Sequence, residues 1–157
     1  MKIMKKISLF LMLVVTLFTF TGCGNKNVEG TLEEIMTKVY ADIPEESRPM
    51  MLGNTVVDSE NIEYYLGTKD IDYKEALASE SGVGSIAHSV VLVRMKEGAN
   101  VKAAKEKILD TVNPRKWVCV GVEKEDVIVK NKGDLIILIM VEDKDTREKI
   151  EKGVDEL

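Results

Sequence analysis

His88 is the sole histidine of the 157-residue chain, so zinc sites that need several histidines or cysteines are excluded. A Ser-His-Asp set would have to draw on His88 from inside a run that reads as a strand, and there is no Gly-x-Ser-x-Gly elbow to present the serine. His88 is expected to be a polar strand residue with a hydrogen-bond partner. Gly82-Val83-Gly84-Ser85 has the glycines of a phosphate loop but leads into a strand. No helix N-terminus is there to hold an anion, and the segment reads as a flexible turn. Carboxylates gather at Glu123, Glu125 and Asp126, and again at Glu142, Asp143 and Asp145. Such oxygens suit Ca²⁺, yet their spacing is not that of an EF-hand loop; a solvated turn and an acidic helix start account for them. Arg115-Lys116-Trp117 offers a basic-aromatic contact point, with Trp117 expected in the core and its neighbours in solvent. No catalytic residue, metal or cofactor is expected.

Of the two cysteines, Cys23 stands in the more informative setting. Lys2, Lys5 and Lys6 make a basic start, and Ile7 to Phe20 is almost wholly apolar. That is the length of a signal-peptide core, short of the roughly 20 residues a stable membrane span needs. The run ends Phe20-Thr21-Gly22-Cys23, which resembles the lipobox of bacterial lipoproteins, where small residues precede a cysteine that is acylated and becomes the new N-terminus. Phe20 stands where Leu, Val or Ile is usual. The resemblance implies a signal peptide over residues 1–22 and lipid on Cys23, and diacylation supplies the two chains that stable anchoring takes. Cys119 is then the one thiol left, and no internal disulfide can form. It lies in Trp117-Val118-Cys119-Val120, a run that reads as a buried strand, with no histidine or basic helix end to activate it.

Those first 22 residues hold three lysines, no acid and all three phenylalanines. Without them Lys+Arg falls to 19 against 27 Asp+Glu, net −8, and the only aromatics are Trp117 and four tyrosines. The core must be aliphatic. An acidic domain is repelled by nucleic-acid phosphates and anionic headgroups, so no nucleic-acid partner is expected.

The elements follow from capping and periodicity. Residues 23–30 form the lipidated cysteine and a short polar tether. Thr31 with Glu34 makes a capping box before Leu32, Ile35, Met36, Val39 and Tyr40 at helical spacing. Pro44 and Pro49 bracket an irregular stretch. Ser59 is expected to cap a short helix carrying Ile62, Tyr65 and Leu66 and closed by Gly67. A further turn is expected at Tyr73 to Ala78. Ser85 to Met95 reads as a strand apolar on both faces; Asn100 caps a helix that Asn113-Pro114 stops. Strands are expected at Trp117–Val122, Val127–Lys130 and Leu135–Val141, the last two joined by a hairpin turn at Asn131 to Asp134. Asp145 with Glu148 is expected to cap the final helix. The order β-α-β-β-β-α predicts a single α+β domain over 31–157, a mixed four-stranded sheet with helices packed on it, preceded by an N-terminal helical segment. The two C-terminal helices are expected on one face and the Leu32 helix on the other, making a monomer.

With the lipobox, the capped helix at Thr31, and the segments IDYKEALASE, SIAHSVVLVR, NPRKWVCVGVE and GDLIILIMVED, the chain resembles a family of Gram-positive lipoproteins, domain of unknown function 4358. The resemblance implies a fold and a location, and carries over no functional residue except Cys23. The expected function is that of a membrane-anchored, extracytoplasmic lipoprotein that is not an enzyme and engages a protein or envelope partner. The alternative is an accessory lipoprotein binding a small ligand or cation, for which a closed pocket with convergent polar groups would speak.

Overall fold

Leu135–Val141 is apolar at every position, and His88–Met95 is buried at every position but Arg94, so both runs need cover on two faces. In the computed structural model, which describes residues 26–157, they lie side by side at the centre of the sheet. The elements are α1 (Leu32–Val39), β1 (Leu52–Val57), α2 (Ile62–Leu66), β2 (Tyr73–Ser81), β3 (His88–Met95), α3 (Val101–Thr111), β4 (Ile128–Lys132), β5 (Leu135–Val141) and α4 (Lys144–Asp155). The α+β class is as expected. The sheet has five strands rather than four, in the order β1-β2-β3-β5-β4, and is antiparallel throughout rather than mixed.

Tyr73 to Ala78 belongs to a strand, not to a helical turn. Its Ala, Leu, Glu and Lys are good helix formers, but such preferences amount to under about 1 kcal/mol per residue, and pairing with β1 on one side and β3 on the other overrides them. The expected strand at Trp117–Val122 is a loop, because Cys119 adopts φ 62°, a left-handed conformation that breaks an extended run. Its backbone is satisfied elsewhere, Val118 N–H donating to the Gly84 carbonyl and Val122 N–H to that of Pro114.

The caps of α1 and α3 form as expected. The Thr31 hydroxyl accepts from Glu34 N–H while the Glu34 carboxylate accepts from Thr31 N–H, and Asn100 Oδ1 accepts from Ala103 N–H. Two other caps shift. Asn61, not Ser59, precedes α2, whose end at Gly67 (φ 72°) is as expected. Asp143, not Asp145, caps α4 by accepting from Thr146 N–H, since β5 ends at Val141 and the chain must turn at once.

Leu32, Ile35, Met36 and Val39 of α1 pack on Leu92, Ile137 and Ile139, so the first helix does fold back onto the sheet. It shares that face with Ile150 and Val154 of α4. The opposite face carries Ile62 and Leu66 of α2, Ala104 and Ile108 of α3, and Trp117. The two C-terminal helices therefore lie on opposite faces, contrary to the expected arrangement. Gly153 makes the shared face possible, because a Cβ there would run into the Val39 carbonyl.

Candidate functional site

Lys116 is the residue that sequence reasoning misplaced most. Expected in solvent, its side chain is only 3% exposed. Its ammonium donates to Glu80 Oε2 at 2.6 Å and lies 3.4 Å from Ser89 Oγ. The same nitrogen stands 4.2 Å from the centre of the Tyr64 ring, 4.7 Å from Tyr65 and 5.2 Å from Trp117, a cation–π cage of three aromatics. Tyr64 closes the set by donating its hydroxyl to Glu80 Oε1 at 2.8 Å. Burial pushes the Lys116 amine below its ordinary range, and the Glu80 carboxylate opposes that shift. A lysine with a lowered pKa is a nucleophile in principle. Sealed behind three rings and a carboxylate, this one reaches no dissolved substrate and acts as a brace between β2 and the loop after α3. Residues 64, 65, 80 and 116 are brought together only by the fold. Arg115, its neighbour, is exposed as expected and pairs with Glu123.

His88, 2% exposed at the start of β3, has the partner expected of it: the Tyr40 hydroxyl at 2.7 Å from Nε2. Burial pushes the imidazole down to about 4, against the opposing pull of Glu80 and Asp143. Burial also holds the Tyr40 phenol well above its usual value. The phenol thus keeps its proton beside a neutral imidazole, and the ring tautomer sets which of the two donates. Arg48 fixes Tyr40 by donating to the carbonyls of Ile43 and Tyr40, with its guanidinium 5.6 Å from the ring centre. Beside this group is an open cleft of about 250 Å³ lined by Thr37, Tyr40, Arg48, Asn54 and Ser79 among others. It lacks the closed form of a dedicated ligand pocket.

The remaining predicted positions are scattered. Cys23 and the segment 1–22 lie outside the described residues. Gly82 and Gly84 lie in a turn between β2 and β3, in contact with Met51 and Val118 respectively rather than at a helix N-terminus. Glu123 is committed to Arg115, and Asp126 to Arg147 at 2.8 Å; among the described residues no group of three or more His, Cys, Asp or Glu side chains is placed to hold a metal. Cys119 is exposed, not buried in a strand. In a Cys23→Ser chain, where it is the sole thiol, Cys119 is expected to react with a maleimide under native conditions about as fast as an unfolded peptide thiol. Protection of more than about tenfold would contradict its exposure.

The entry of the chain into the fold is also a built feature. Arg94 on β3 donates to the carbonyls of Val28 and Gly30, each at 2.8 Å, and to Glu75 at 2.7 Å. Asn27 Oδ1 accepts from Asp134 N–H in the β4–β5 turn. Val28 is itself buried in the α1 face, so residues 27–30, read as tether, are part of the folded body. Compared with protein-family models, curated proteins and solved structures, the chain matches none.

Proposed function

We propose that this is a lipoprotein anchored on the outer side of the cytoplasmic membrane through lipid on Cys23, working as a monomeric, non-catalytic module that engages a protein or envelope partner. The observation that carries the reading is the Arg94 and Asn27 clamp. Asn27 lies four steps along the chain from Cys23, a span of at most about 14 Å at about 3.5 Å per step. A lipid on Cys23 then holds the β4–β5 turn close to the membrane and gives the domain a defined orientation. The lipobox and the resemblance to Gram-positive lipoproteins support the same reading. Among the described residues no helix is long and apolar enough to cross a membrane.

A small-ligand role is the second reading, favoured by the polar lining around Arg48 and Ser79. It ranks lower because Arg48 already spends donors on two backbone carbonyls. Metabolic labelling with a fatty acid tests the anchor. Label is expected on the unaltered chain and lost in Cys23→Ser, with the signal peptide retained. Label persisting on Cys23→Ser would remove the lipoprotein assignment.

A further inference from the structure

The two edges of the sheet are treated differently. β4 carries Lys130 and Lys132, which reach Asp155 and, for Lys130, also Glu151 on α4, while Asn131 accepts from Lys105 of α3. Lysines and overlying helices are what guard an edge against pairing with another chain. β1 has none of these. Its sequence, Leu-Gly-Asn-Thr-Val-Val, contains no charge and no proline. Residues 53–56 are all exposed, Val56 at 65%, and a Cβ on Gly53 would meet nothing within 4 Å.

The backbone direction is fixed by the ladder. Gly82 N–H donates to the Met51 carbonyl, which makes Met51 and Gly82 a hydrogen-bonded pair. By antiparallel alternation Gly53, Thr55 and Val57 face β2, and Leu52, Asn54 and Val56 turn their polar groups outward. Two of these are used locally: Leu52 N–H donates to Pro49, and the Val56 carbonyl accepts from the Asn61 side chain. Among the described residues the Leu52 carbonyl, both groups of Asn54 and the Val56 N–H remain, two donors and two acceptors in the spacing of a strand.

Charge says what kind of strand fits. From residue 29 to 63 the chain has nine acids against Lys38 and Arg48, whereas residues 64–157 have 18 against 16. Most of the domain's net charge thus lies on the segments flanking β1. Glu33 of α1 and Asp58 line the groove beside Val56, with Lys74 as the base there. Glu60 and Glu63 follow β1 in the sequence, Glu63 lying 3.5 Å from the ammonium of Lys69. A second copy would bring two acidic rims together, so self-pairing through β1 is disfavoured.

We propose that the β1 edge is a docking site for an extended, lysine- or arginine-rich segment of a partner protein, which adds to the sheet as a sixth strand. The proposal rests on the reading of the chain as an interaction module and names the surface and the chemistry of the partner. β1 lies across the sheet from the β4–β5 turn that receives the tether, so membrane attachment leaves this edge open.

The test uses the detergent-solubilised full chain and a dye-labelled peptide of alternating lysine and valine, with a glutamate–valine peptide and a backbone N-methylated lysine–valine peptide as comparators. Fluorescence anisotropy is expected to show the lysine–valine peptide binding at least about tenfold more tightly than either, and losing affinity as salt rises. Hydrogen exchange is expected to slow at the amides of Asn54 and Val56. Val56→Lys places a guarding lysine on an exposed position without disturbing the core, and is expected to weaken binding about tenfold. Equal binding of all three peptides, protection away from β1, or concentration-dependent dimerisation that Val56→Lys abolishes would each overturn the proposal. Repeating the assay on Cys23→Ser separates the two ideas. Binding there with no lipid on the unaltered chain would leave the edge standing while the anchor falls, and a lipidated chain with no protection at β1 would do the reverse.

Discussion

Glu80→Ala is expected to destabilise the domain by about 3–5 kcal/mol, the range for stranding one member of a buried ion pair. The alanine leaves the Lys116 ammonium with Ser89 Oγ at 3.4 Å and the faces of three rings, far from enough to replace a carboxylate at 2.6 Å. Lys116→Met is expected to cost distinctly less, because the Glu80 side chain is 12% exposed and keeps the Tyr64 hydroxyl as a donor. Removing both charges together with apolar side chains should recover most of the Glu80→Ala loss. Chemical denaturation measures all three. The Glu80→Ala deficit should also shrink as pH rises, since loss of the carboxylate lets burial push the Lys116 pKa lower still. The unfolded chain then holds more protons than the folded one, and stability climbs with pH. Equal losses for the two single variants, or a Glu80→Ala loss under about 1 kcal/mol, would show that the pair is not buried in the working protein.

His88 sets the second large effect, on acid stability. In the folded protein its pKa is pushed down to about 4 from the ordinary 6.5. Between those values the unfolded chain binds a proton that the folded chain refuses. The stabilisation is therefore whole above about pH 6.5 and is lost as pH falls toward 4, by about 3 kcal/mol for a shift of this size. His88→Gln can still hydrogen-bond to Tyr40 but does not titrate, so its stability should fall less steeply over that interval, whatever its absolute value. Identical slopes for the two proteins from pH 7 to 4 would show that His88 is not the group responsible.

The strands legible in the sequence are those whose burial is written into every residue. Leu135–Val141 has no polar side chain, and the turn before it has Gly133 at φ 57°, a position that favours glycine. Helix starts were legible wherever a side chain could cap only one frame, as at Thr31 and Asn100. At the last helix Asp143 and Asp145 both could, and the end of β5 decides between them. β1 and β2 were hidden for opposite reasons. Gly53 and Asn54 disfavour strand and are tolerated on an open edge, while Ala76 to Glu80 suit a helix and become a strand only because neighbours occupy both sides. The Trp117 loop misled because its valines look like core, yet Val118 is 67% exposed. Of the sites, a buried and singly partnered His88 was foreseeable from its place in an apolar run. The Lys116–Glu80 pair spans 36 positions and has no local signature; its only trace is Lys116 adjoining the one tryptophan.

The seat of Gly153 against the Val39 carbonyl has a consequence for how the chain reaches this structure. It joins the first helix to the last, and the nearby ion pair of Lys152 with Asp42 closes a loop of 110 positions. Closing so long a loop costs entropy before any contact repays it, and a five-stranded antiparallel sheet adds further distant pairings. A chain that emerges N-terminus first holds Leu32, Ile35 and Val39 without their full cover until its final dozen residues arrive. Docking of the last helix on the first is therefore expected to be a late step, with the last helix as the latch.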